Sequence, residues 1–325
     1  VTFRTPARAT DPAATLPGVR ARVVGGVAYR RADPPAPAGA QGRVARYARA
    51  DHYAALRTGL GEDADVLRGG GWRTVVLADD NALVDRAAAH RAGIGWYGKS
   101  ANVLLPGRGS WFVLGSVLTD APLDPAPEPV ADGCGTCTRC LDGCPTGAIV
   151  APGVVDARRC LAWMVQDTGA FPREHRVALG DRLYGCDDCQ EVCPPNRTAD
   201  RRHLPPAAPD DETWIDLVDL LRRPDDELLA RHGRWYVPRR DARYLRRNAL
   251  VVLGNVADPD DPAVLAVLAD ALAHPDGLVR AHAVWAARRL GRHDLAAGLA
   301  DDPDPDVRAE LAAPAPPVRT VSGVG

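Results

Sequence analysis

The sequence predicts an α+β multidomain chain, and three observations carry that prediction. Short β-branched runs alternate with helical spacing in the first 130 residues, eight cysteines crowd into the middle, and the last third is helical with weak self-similarity. The 325 residues suffice for two or three domains. An apolar content of 46% supports real cores.

Residues 1–130 read as an α/β domain. "RARVVGGVAY" and "WRTVVLAD" are apolar, β-branched runs that suit buried strands. "ALVDRAAAHRAGIG" follows with helical spacing and a C-capping glycine at Gly93. "GSWFVLGSVLTD" is a further strand, and the proline-rich "APLDPAPEPVADG" is a linker. Val1 leads the chain and Met164 is its one methionine, so either a valine codon starts it or residues precede it.

Residues 131–200 hold all eight cysteines. No signal peptide opens the sequence, so ligation of metal is expected over disulfides. Cys134, Cys137, Cys140 and Cys144 follow the C-x2-C-x2-C-x3-C-P run of a [4Fe–4S] ferredoxin, whose fourth cysteine serves a second cluster. Cys186, Cys189 and Cys193 before Pro194 form the reciprocal half, with Leu183 where a leading cysteine would stand and Cys160 left to fill the vacancy. The spacing predicts one cluster on Cys134, Cys137, Cys140 and Cys193, and another on Cys144, Cys160, Cys186 and Cys189. Zinc also uses paired C-x2-C, but needs neither the x3-C-P ends nor this crossed count. The module is therefore ferredoxin-like, with two [4Fe–4S] clusters that can relay single electrons.

Residues 208–313 predict a HEAT-like α-helical repeat. An apolar–Arg step recurs at Leu245-Arg246, Val279-Arg280 and Val307-Arg308, at intervals of 34 and 28 residues; a single helical bundle is the plainer alternative. Residues 314–325 read as a flexible tail. No apolar run reaches the roughly 18–20 residues of a membrane span, and a cytoplasmic monomer is expected. With a net charge of −2, nucleic acid could be held only by local clustering. Arg231 to Arg247 supplies it, with seven arginines against Asp241 and with Trp235, Tyr236 and Tyr244 interleaved. Arginines bind phosphate and aromatics stack on unpaired bases, so Arg239, Arg240, Arg243, Arg246, Arg247 and Asn248 are candidate RNA contacts. The bland alternative is a solvated arginine-rich helix face.

Most of the chain resembles the epoxyqueuosine reductases of tRNA queuosine synthesis. The resemblance is carried by "RYAR" (46–49), "LADDNALVDRAAAHRAGIGWYGKSANVLL" (77–105), "CGTCTRCLDGCPTGAIV" (134–150), "DARRC" (156–160), "YGCDDCQEVCPPNR" (184–197) and "YLRRNALVVLGN" (244–255). It implies reduction of epoxyqueuosine to queuosine at the wobble position of tRNA anticodons. Cobalamin would sit in the α/β domain, and an external low-potential reductant would feed two [4Fe–4S] clusters. It further implies Asp79 as proton donor, followed by the acidic–Arg pair Asp85 and Arg86. Cofactor contacts would come from Arg46, Tyr53, Arg86, Trp96, Tyr97, Lys99 and Arg158. A proton donor at neutral pH needs a pKa raised above about 3.9 by burial; read without the resemblance, Asp79 is a helix N-cap. This chain departs from the family pattern with Asp80 and Ala82 after Asp79, Asp85 for the usual glutamate, and "RYARADHYA" for "RYARGxDYH". Two other readings stand beside this one: a cobalamin and iron–sulfur reductase of another class, such as a reductive dehalogenase, and a non-catalytic electron-transfer or RNA-binding scaffold.

Overall fold

In the first unit, three strands form one antiparallel sheet with Phe112–Thr119 in the centre. Ala21–Ala28 pairs along one edge of it, from Ala21 opposite Thr119 to Ala28 opposite Phe112, and Thr74–Ala78 pairs along the other. The central strand is buried along almost its whole length, which requires cover on both faces. Helix His52–Gly69 lies on the face of Gly115 and buries Leu56, Leu60 and Ala64. Leu114 and Leu118, alternate residues on the other face, pack with Ala89 and Ala88 of helix Asp85–Arg91. Each strand and the helix stand where the β-branched runs and the helical spacing predict them. Gly93 at φ 69° ends the helix as expected.

The computed structural model describes residues 7–82, 84–124, 128–202 and 204–318. Residues 125–127 of the expected linker and the end of the expected tail lie outside them. Two compact units emerge, each drawing on separate stretches of chain. One comprises Val1–Asp33, Arg49–Arg158 and Asp187–Asp211; the other comprises Pro34–Ala48, Arg159–Cys186 and Glu212–Gly325. These divisions differ from the sequence-based boundaries at 130 and 200. Of the cysteine-rich stretch, residues 159–186 belong to the second unit, because Arg182–Tyr184 pairs in parallel with Gln41–Val44 in a small sheet there.

The second unit is otherwise helical. Arg243–Val256, Pro262–Leu272 and Pro305–Ala312 each pack against Gly277–Arg289. Three of them start on an aspartate N-cap: Asp261, Asp276 and Asp304 accept the amides of Ala263, Leu278 and Asp306. The apolar member of each recurring step, Leu245, Val279 and Val307, is buried in one continuous core. No helix among the described residues is long and apolar enough to cross a membrane.

Candidate iron–sulfur and acid site

The first cysteine burst folds as a loop and one short helix, Arg139–Asp142. Lys99 holds the loop in place, its Nζ donating to the carbonyls of Gly135 at 2.6 Å and Cys137 at 3.0 Å. Cys193 stands at the head of helix Pro194–Arg202. Burial and then the neighbouring Cys134, Cys140 and Cys137 push its thiol up to about 11, and burial raises Cys140 beside Cys134 and Cys137. Cys134, Cys137 and Cys140 thus each act on the ionisation of Cys193; these four are the set expected for one cluster. Four thiols that repel one another's ionisation are the donor set a cationic iron–sulfur core would satisfy.

Cys144 behaves differently. Burial opposes its ionisation, but the amides of Thr146, Ala148 and Ile149 outweigh it and lower the thiol's pKa. The Ala148 amide donates to Cys144 Sγ at 3.2 Å. Cys189, on the short helix Asp188–Glu191, accepts weakly from Asn102 Nδ2 at 3.9 Å. Cys160 heads helix Leu161–Met164 and Cys186 follows strand Arg182–Tyr184, both in the second unit. No three His, Cys, Asp or Glu side chains among the described residues close tightly enough on a single metal ion.

Asp79 ends strand Thr74–Ala78 in the left-handed region, at φ 57°. It is exposed, so the burial expected of it is not met at that residue. Nor does it cap the following helix, whose N-cap position is Val84. Its neighbour Asp80 makes the turn instead, accepting the Ala82 amide at 2.7 Å. The raised carboxyl is that of Asp85: burial, and then the charge of Asp79, push it to about 6 against the pull of Arg86. Its Oδ1 is buried and accepts no hydrogen bond among the described residues. Burial, then Asp79 and Asp85, push the Tyr53 hydroxyl up to about 12. Asp79, Tyr53, Asp85 and Arg86 therefore form one interacting group, and Arg86 braces its loop by donating to the Ala101 carbonyl at 2.7 Å.

The other candidate residues divide. Tyr97 is 42% exposed and offers a flat surface, whereas Trp96 is buried at 7% and its Nε1 has no hydrogen-bond partner among the described residues. The glycines before them serve packing: a Cβ on Gly95 would meet the Leu104 carbonyl at 2.2 Å. Arg158 folds back on Asp156, bonded at 2.9 and 2.7 Å. Arg46 is buried in the second unit.

On the basic stretch the structure corrects the sequence reading. Arg247 and Asn248 are wholly buried. The Arg247 guanidinium donates to the carbonyls of Asp167, Gly169, Met164 and Val165 at 2.7–3.3 Å and to Asn248 Oδ1. Arg246 is spent on Asp225 and on the carbonyls of Leu221 and Arg223. These three hold the fold and present nothing to RNA. Arg240 is exposed but reaches back to Gly233 and Leu229, and Arg243 pairs with Asp241 and Asp276. Arg239 is exposed, and Tyr236 is 64% exposed. The sequence reading missed Asn102, Ser110, Gln190 and Asn196 around the cysteines; only the adjacency of Gln190 and Asn196 to the cysteine run could have flagged any of them.

Two protein-family profiles match the chain: a 4Fe-4S double cluster binding domain over residues 133–196 and HEAT repeats over 238–313. Among curated proteins it is 38% identical to an epoxyqueuosine reductase of Xanthomonas campestris pv. campestris, over 79% of this chain and 72% of that protein. It is 32% identical to one of Staphylococcus aureus, over 93% and 81%. It matches one of Bacillus anthracis at 36% over 66% of this chain, but spans only 56% of that relative's length. Among solved structures, an epoxyqueuosine reductase with a tRNA-Tyr epoxyqueuosine-modified stem loop superposes with a TM-score of 0.81, at 32% identity over 92% of this chain and 82% of that one. One from Bacillus subtilis, with its catalytic aspartate loop swung out of the active site, gives the same score at 31% identity over 94% and 83%.

Proposed function

The chain belongs to the epoxyqueuosine reductase family, and from that premise we propose that it reduces epoxyqueuosine to queuosine in the anticodon of tRNA. One observation carries the reading. The acid group of Asp79, Tyr53 and Asp85 stands in the same compact unit as Cys134, Cys137, Cys140 and Cys193. Removing the epoxide oxygen as water takes two electrons and two protons, so the reaction needs both an electron path and an acid.

When bound, two [4Fe–4S] clusters and cobalamin supply the single-electron transfer and the reduction of the C–O bond. The residues present suit both groups. Four mutually repelling thiols suit an iron–sulfur core. Exposed Tyr97, and the buried Asp85 Oδ1 with no donor of its own, suit a large ring rimmed by carboxamides. Cys144, Cys160, Cys186 and Cys189 complete the second ligand set in this reading.

The chain's own contribution is the proton. Asp79 donates to the oxygen as the C–O bond breaks. Asp85, at about 6, retains a fraction of its protons near neutral pH and resupplies Asp79. Tyr53 stays protonated across the working range and serves as a hydrogen-bond donor. Arg239, Arg240 and Tyr236 engage the RNA, and a low-potential donor outside the chain provides the electrons.

The test is anaerobic reconstitution with iron, sulfide and cobalamin, followed by incubation with a strong reductant and epoxyqueuosine-containing tRNA. Nucleoside mass spectrometry should register the loss of one oxygen; its absence sinks the reading. Asp79→Asn should leave the cluster and cobalamin spectra intact while cutting turnover at least about 100-fold. Full activity in that variant would transfer the donor role to Asp85.

A further inference from the structure

A buried polar network joins the Gly109–Ser110 turn to the segment that carries Cys189 and Cys193, and the chemistry above makes no use of it. Asn196, 1% exposed, spends both ends of its carboxamide there. Its Oδ1 accepts the Ser110 amide at 2.6 Å, while its Nδ2 donates to Ser110 Oγ at 3.0 Å and to the Gln190 carbonyl at 2.8 Å. Gln190 Nε2 donates to Ser110 Oγ at 3.0 Å, to the Ser110 carbonyl at 3.2 Å and to the Tyr29 hydroxyl at 3.4 Å. The turn is shaped around Asn196: Gly109 lies at φ +75°, and a Cβ on it would stand 1.9 Å from Asn196 Oδ1.

The run Cys193-Pro194-Pro195-Asn196 gives this latch a purpose. Proline has no N–H, so the first amide after Cys193 belongs to Asn196. It sits at the third position of helix Pro194–Arg202, where amides lack a partner within the helix. It is the first amide that the chain can offer to the Cys193 sulfur, three residues upstream. Hydrogen bonds to cluster sulfurs favour the more negative, reduced cluster and so tune its potential. A side chain that fixes this peptide fixes where its amide can donate.

We propose that Asn196 is a positioning residue for the [4Fe–4S] cluster ligated through Cys193: its carboxamide, locked between Ser110 and the Gln190 carbonyl, holds the amide that sets that cluster's reduction potential. The proposal rests on Cys193 completing the set of Cys134, Cys137 and Cys140.

The experiment is an EPR-monitored redox titration of the full chain, reconstituted anaerobically with iron and sulfide, as wild type, Asn196→Ala, Ser110→Ala and Cys193→Ala. Asn196→Ala should move one of the two midpoint potentials to more negative values and leave the other in place, with iron content unchanged. Ser110→Ala, which removes the hydroxyl but keeps the amide bonded to Asn196 Oδ1, should shift the same potential in the same direction by less. If Asn196→Ala does not load clusters, Ser110→Ala decides. Both potentials unchanged in a fully loaded variant overturn the proposal. Cys193→Ala should lose half the iron. If it keeps both clusters, the ligand assignment itself fails; if it loses one while Asn196→Ala leaves both potentials unmoved, only the positioning role fails.

Discussion

Two carboxylates six residues apart divide the tasks that the sequence reading had given to one. Asp79 has the strand-end position and the strained backbone; Asp85 has the burial. A non-glycine residue at positive φ is kept only where its surroundings impose it, and here the Asp80 turn and the Arg86 brace do so. The raised pKa of Asp85 has a consequence for stability whose sign is fixed. The folded state holds this proton more tightly than the unfolded chain does, so the stability Asp85 lends is complete below about 3.8 and lost as pH rises through about 6. Above that window an ionised Asp85 is a burden. Asp85→Asn should therefore stabilise the cofactor-free protein near pH 7.5. Each pH unit is worth about 1.4 kcal/mol, and solvent screening of a half-buried carboxylate lowers the yield, so about 1–2 kcal/mol is expected. Urea unfolding at pH 7.5 and near pH 4 checks this: the gain should vanish at the acid end, and a gain equal at both ends would place its origin elsewhere.

Among the elements, the recurring apolar–Arg step proves to be a structural device. Its apolar member enters the helical core, and its arginine turns back to backbone carbonyls earlier in the chain. Arg246 binds the carbonyls of Leu221 and Arg223, Arg280 those of His274 and Pro275 together with Asp302, and Arg308 that of Asp302. The period was legible in the sequence because helix pairs repeat locally; the direction of each guanidinium was not, because its partners lie outside its own helix. The same distinction separates what else could be read. Strands and the helix after Asp79 are local patterns that stand as expected, and the cysteine spacing is a local pattern that falls within the 4Fe-4S double cluster match. The Asn196–Ser110 latch joins residues 86 apart, and no pattern within a window of sequence encodes it. Arg247 is the sharpest case, since a count of charges treats it as surface while its helix buries it. It fastens helix Arg243–Val256 to the loop after Leu161–Met164, the helix that Cys160 heads. Removing it breaks its hydrogen bonds to four carbonyls, although Val165 keeps Asn248 Nδ2 and Met164 keeps the Asp167 amide, so Arg247→Met should cost about 3 kcal/mol in chemical denaturation. At temperatures where the variant stays folded, its tRNA affinity should keep the wild-type salt dependence.

For the whole molecule, charge decides how a polyanion could be held. Forty basic against 42 acidic residues leave no long-range field to attract one. Many arginines are also neutralised locally, as Arg231 and Arg234 are by Glu212 and Arg243 is by Asp241 and Asp276. What remains on the basic stretch is narrow: exposed Arg239, with no hydrogen bond or ion pair among the described residues, exposed Arg240, and Tyr236 beside them. Affinity for RNA should then rest on few phosphates and respond weakly to salt. Each phosphate neutralised contributes a slope of about −0.7 to −0.9 in log K against log salt, so two contacts predict a total of roughly −1.5. Arg239→Ala should reduce that slope by about one contact's share. Tyr236→Ala should weaken binding by about 1–3 kcal/mol if the ring stacks on a base, and leave the slope alone because stacking releases no counterions. Fluorescence anisotropy with an anticodon stem loop across a potassium chloride series separates the two effects. A slope unchanged in Arg239→Ala would return that arginine to solvent, and with it the last exposed, uncommitted cation on which RNA recognition by this stretch depends.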